Sequence, residues 1–66
     1  MDLYSKIKVG ERYQFDLTVP TPRFDHHEMV AGVVLEKTTI GETRFLILDQ
    51  QRAINMDYVT RVIGRF

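Results

Sequence analysis

The sequence predicts an all-β protein, a small five-stranded antiparallel barrel, and three observations carry that expectation. Tyr13, Phe15, Leu17 and Val19 alternate with Arg12, Gln14, Asp16 and Thr18, the period of two that a strand with one buried and one wet face requires. From Met29 to Asp49, two runs rich in Val, Ile, Leu and Phe flank Thr38-Thr39-Ile40-Gly41-Glu42, which reads as a central β-hairpin. Finally, the chain has 66 residues and no cysteine. A chain so short hides only about 60% of the surface its unfolded form exposes. Without disulfides or thiolate metal sites, it must rely on good packing or oligomerisation.

Each element follows from its local residues. Over Asp2 to Gly10, the spacing of Leu3, Tyr4 and Ile7 suits a short helix capped by Asp2 and ended by Gly10, with an extended lead-in as the alternative. Glu11 to Val19 is the first strand. Pro20 and Pro22 lack amide donors and bias Val19 and Thr21 toward extended geometry, so Pro20 to Glu28 is expected to be a long loop. The next strand is apolar on both faces, with Met29, Ala31, Val33 and Leu35 on one and Val30, Gly32 and Val34 on the other. Gly32 is the expected bend. Thr43 to Asp49, again apolar on both faces, is expected to lie centrally. After the polar break Asp49-Gln50-Gln51-Arg52, Ala53 to Met56 should pair back on it. Asp57 to Arg61 then suits one helical turn with an Asp57 cap and an Asp57–Arg61 pair, ahead of a closing Val62-Ile63 segment.

This succession ends in Ile54-Asn55-Met56-Asp57-Tyr58-Val59-Thr60-Arg61-Val62. It resembles the small SH3-like and Sm-like barrels, in particular the bacterial Sm-like proteins of the Rho-inhibitor type. The resemblance spans Met29 to Val62 at the level of pattern. It implies a barrel whose partner groove lies beside the long loop and near the closing turn, which brings Tyr58 into the candidate surface. Sm proteins that bind RNA carry an Asp and Asn in one motif and an Arg-Gly in another. The equivalent stretches here read Glu36-Lys37-Thr38-Thr39-Ile40-Gly41-Glu42 and Asn55-Met56-Asp57, so the resemblance implies the architecture rather than uridine recognition.

Composition narrows the function classes. Nine basic residues balance nine acidic ones, which weakens a binding mode built on phosphate contacts. No apolar run approaches the roughly 20 residues of a membrane span, and the Met1-Asp2-Leu3-Tyr4 start does not resemble a secretion signal, so a cytoplasmic location is expected. Asp25-His26-His27-Glu28 offers metal-ligand types, but adjacent residues of an extended chain point opposite ways; a solvated loop is expected and no cofactor is implied. No nucleophile-base set or phosphate-cradling glycine loop is visible, so an enzyme is not expected. Arg44, Arg52, Arg61 and Arg65 alternate with Glu42, Asp49 and Asp57 as on an ordinary mixed surface.

What remains is a contact surface. Arg23 and Phe24, with His26 and His27 beside them, combine residue types favoured at the energetic centres of interfaces; Phe24 could instead fold back over the core. Arg44 and Tyr58 complete the candidate partner-binding set. The leading expectation is a non-enzymatic adaptor or regulator that binds another protein. A small RNA- or DNA-binding barrel is the rival, and a structural subunit or homo-oligomer is a third class.

Overall fold

The computed structural model describes residues 3–64. Its elements are α1 (Leu3–Lys6), β1 (Arg12–Pro20), β2 (Asp25–Ile40), β3 (Thr43–Leu48), β4 (Ala53–Asn55), a 3₁₀ turn (Met56–Tyr58) and β5 (Val59–Gly64). Strands make up 65% of the structure, which makes the fold all-β. They form one antiparallel sheet in the order β4-β3-β2-β1-β5. The expected helix is a single turn, and its proposed Asp2 cap lies outside the described residues.

β1 behaves as its alternation requires, with Tyr13, Phe15 and Leu17 buried. The loop expected over Pro20 to Glu28 is much shorter. β2 already begins at Asp25, opposite Pro20, so only residues 21–24 reverse the chain. Thr21 makes this possible without a glycine. Its hydroxyl donates to the Phe24 carbonyl and accepts from the Phe24 N–H at 3.2 Å, while its own N–H donates to the same carbonyl at 3.2 Å. Side-chain closure of this kind substitutes for special backbone angles. Pro20 is tolerated at the end of β1 because the β5 ladder extends only to Leu17, leaving no partner there for a missing N–H.

β2 is the strand that shapes the molecule. Residues as far as Val33 pair with β1, and those from Val34 onward pair with β3. At the changeover every backbone group is used. Val34 donates to the Glu11 carbonyl at 3.0 Å and accepts from Gly10 N–H at 2.7 Å. Val33 accepts from Asp49 N–H at 3.0 Å and donates to Asp49 Oδ1 at 3.3 Å. The register shift falls between Val34 and Glu36, so the bulge sits at Leu35 and not at the expected Gly32. Gly32 has another duty. A Cβ there would stand 2.6 Å from Gln50 Oε1 and 2.9 Å from Asp49 Oδ1, so its bare backbone makes room for the two side chains that close the corner.

The rest of β2 also runs further than expected, to Ile40, and only residues 41 and 42 make the turn. Gly41, at φ 63, supplies the positive angle that a two-residue hairpin needs. The expected helical turn at Asp57 to Arg61 moves toward the N-terminus: Asn55 caps it, its Oδ1 accepting from Asp57 N–H at 2.8 Å. Arg61 belongs to β5, opposite Asp16, so no Asp57–Arg61 helical pair forms.

Phe15, Val34, Leu46, Leu48 and Ile54, drawn from β1 to β4, are the fully buried side chains of a single cluster. Ile7 joins it from the segment after α1. That segment is fastened by Lys8 N–H to the Tyr13 hydroxyl at 2.9 Å and by Lys37 Nζ to the Ile7 carbonyl at 3.0 Å.

Three substitutions test the packing and the corner, with Ile40→Thr as the control. Leu46→Ala removes fully buried methyl groups and should cost about 2–5 kcal/mol in urea unfolding, whereas Ile40→Thr, at an exposed site, should stay within about 0.5 kcal/mol. Asp49→Ala should cost about 0.5–1.5 kcal/mol by orphaning Val33 N–H. Gly32→Ala should lose much less stability in an Asp49→Ala, Gln50→Ala background than in the parent, because both side chains that a Cβ would meet are then gone.

Candidate interaction surface

The outward face of the β5-β1-β2 ladder is set by register, since directly opposed residues share a face. Thr18 stands opposite His27, Asp16 opposite Met29, and Gln14 opposite Ala31. β5 adds Arg61 beside Asp16 and Ile63 beside Gln14. A register shift between Asp16 and Leu17 brings in Thr60, whose hydroxyl donates to the Asp16 carbonyl at 3.1 Å. The result is an open groove of ≈ 650 Å³ bordered by Asp16, Thr18, His27, Met29 and Thr60.

Its polar groups are unevenly satisfied. Thr18 Oγ1 and His27 Nδ1 share a hydrogen bond at 3.1 Å, and Gln14 Nε2 donates to Met29 Sδ at 3.4 Å. Asp16 Oδ1 is shut away from solvent and has no hydrogen-bond partner among the described residues. A buried acceptor left this way costs about 1–3 kcal/mol, so it weighs against stability where it stands. Met29 is 70% exposed despite its apolar side chain.

The two histidines separate. His27 belongs to the groove, while His26 shares the opposite face with Glu28, its Nε2 3.7 Å from Glu28 Oε2. Glu28 is also paired with Arg52 across from the β3–β4 connection. Neighbouring residues of a strand point to opposite sides, so Asp25 to Glu28 cannot close on one ion. Among the described residues no three His, Cys, Asp or Glu side chains converge as a metal would need.

Arg23 and Phe24 occupy the tip of the β1–β2 turn, and Phe24 is 67% exposed, so it does not fold back over the core. Arg44 is placed elsewhere. It sits opposite Thr39, at the far end of β2 from the histidines, where its Cζ lies 4.9 Å from the centre of the Tyr4 ring and Lys37 Nζ lies 4.5 Å from it. Tyr58 is half-buried in the 3₁₀ turn. The structure therefore gathers Arg23, Phe24, His26 and His27 at one end, and puts Arg44 with Tyr4 and Lys37 at another.

Sequence reading missed Asp16, Thr18, Met29 and Thr60. Asp16 and Thr18 look like ordinary wet-face residues of an alternating strand, and only the register joins them to Met29 and Thr60. Comparison with family models, curated proteins and solved structures found no match. Among the described residues no helix is long and apolar enough to cross a membrane.

Asp16→Val should raise stability by about 1 kcal/mol in urea unfolding, because it removes an unpartnered acceptor and adds a good strand former. A loss of stability instead would mean that the carboxylate holds the ladder together.

Proposed function

We propose that this chain is a non-enzymatic adaptor or regulator, a small barrel of the SH3-like and Sm-like kind that binds another protein. The contact is made by the β1–β2 turn and the adjoining sheet face. The observation that carries this reading is Phe24, a large aromatic held out in solvent at the tip of a turn that Thr21 braces. A braced turn loses little entropy on binding, and an aromatic beside a guanidinium is the pairing that interfaces concentrate at their centres. His26, His27 and the groove behind Met29 extend the same surface. The strand order and the 3₁₀ turn before β5 support the SH3-like part of the reading.

A second reading, a small RNA- or DNA-binding barrel, draws on Lys37 and Arg44, which meet at the Tyr4 ring. The balance of nine cations and nine anions argues against it as the main activity.

Capture from an extract of the source cell separates the two. Arg23→Ala with Phe24→Ala should abolish retention of the protein partner while leaving the urea midpoint unchanged, since both side chains are exposed. Retention by the double variant would refute the adaptor reading. Tight, steeply salt-dependent binding of a mixed single-stranded pool, lost in Lys37→Ala with Arg44→Ala, would establish the nucleic-acid reading instead.

A further inference from the structure

Successive residues of a strand send their N–H and C=O groups to alternate sides. Val33 sends both of its groups to Asp49, and Val34 sends both of its groups to the Gly10-Glu11 segment leading into β1. By that alternation Ala31, Met29 and His27 face the same way as Val33, away from β1. β3 does not reach them, because its ladder with β2 starts at Val34. Among the described residues this edge has no strand beside it.

Side chains substitute for a strand over part of its length. Asp49 Oδ1 takes the Val33 N–H at 3.3 Å, and Gln50 Nε2 donates to the Ala31 carbonyl at 3.1 Å. The substitution stops there. Beyond Ala31, Arg52 reaches across from the same connection to the Glu28 carboxylate and not to a backbone group of β2. Of lysine, proline and a bulge, common guards of a sheet edge, the run through Met29 and His27 has none.

We infer that the outward edge of β2 from His27 to Ala31 takes up an extended, basic segment of the protein partner as an added strand. The inference rests on the protein-binding reading above and names how that partner is held. Strand addition uses the partner's main chain for affinity and its alternate side chains for specificity. Met29 gives those side chains an apolar bed. Asp16, directly opposite Met29 on β1 and beside Arg61 on β5, supplies the charge preference through the field of its carboxylate rather than through the enclosed Oδ1. Asp16 lies two strand spacings from the added strand, about 10 Å, which a lysine or arginine side chain lying over Met29 spans together with the aspartate. A second copy of this chain is a poorer occupant, because its own β2 edge from Asp25 to Ala31 carries Asp25 and Glu28 and no lysine or arginine.

The test is a nuclear magnetic resonance titration of the ¹⁵N-labelled chain with acetyl-Lys-Val-Lys-Val-Lys-Val-amide, with the Glu-Val hexapeptide as control. The lysine peptide should bind with a dissociation constant below about 1 mM. It should shift the His27 and Met29 amides and slow their exchange, and the glutamate peptide should bind at least about tenfold more weakly. Met29→Pro removes the outward N–H without touching the β1 ladder and should weaken binding about tenfold. Asp16→Asn, which keeps the side-chain shape, should remove most of the difference between the two peptides. No binding at about 1 mM, binding that leaves the His27 and Met29 amides unmoved, or equal binding of both peptides would overturn the inference. So would concentration-dependent shifts of those amides without peptide, which would assign the edge to a second copy. If the peptide fails while Arg23→Ala with Phe24→Ala still abolishes partner capture, only the edge inference falls. If neither holds, the protein-binding reading falls with it.

Discussion

The structure depends on one corner. At Val33 and Val34 a single strand changes partners, leaving β1 and joining β3. A change of this kind exposes backbone groups that neither ladder can satisfy, and a buried peptide group without a partner costs as much as a lost hydrogen bond. Here the lead-in to β1 meets Val34 from one side and Asp49 meets Val33 from the other. With the corner closed, Val30 and Val34 share one cluster with Phe15 of β1, Leu46 and Leu48 of β3, and Ile54 of β4. A chain of 66 residues has little apolar surface to spend on a second core.

The same corner leaves the candidate surface where it is. Because β3 joins only after Val34, the first half of β2 keeps an open side, and Asp49 and Gln50 cover no more than its nearest groups. Because β2 begins directly opposite Pro20, the turn is short enough for Thr21 to brace it and present Phe24 to solvent. Met29, on the outward face, stands directly opposite Asp16, which the β1–β5 register shift places beside Thr60. An exposed apolar side chain beside a carboxylate with an unpartnered oxygen is a local conflict. Such conflicts in small domains concentrate where contacts with other molecules are made.

Much of the fold was legible in the residues. The alternation from Arg12 to Val19 gave a strand and its buried face, because burial on one side of a pleated strand leaves that period directly in the sequence. β3 was legible instead as a continuous apolar run and β4 as the segment returning after a polar break, and both take their expected partners. The start of β2 was not. His26, His27 and Glu28 have no strand signature of their own and are held extended by pairing with β1, a long-range effect that outweighs local preference. The bend was assigned to Gly32 because glycine relaxes backbone limits, whereas the bulge sits at Leu35 and the glycine accommodates two side chains from another strand end. Of the candidate residues, Arg23, Phe24, His26 and His27 stand near one another because they are close in sequence. Arg44 had no such local tie, and packing at the far end of β2 decided its place.

Native-state amide hydrogen exchange measures the corner most directly. If β2 passes from one ladder to the other at Val33 and Val34, the Val34 amide should open only with global unfolding, matching Leu46, and Val33, held by the exposed Asp49 side chain, should still be protected, while Gly41 in the exposed turn exchanges freely. Exchange of Val33 and Val34 as fast as Gly41, with Leu46 still protected, would contradict it: the two ladders would then not be joined by a closed corner.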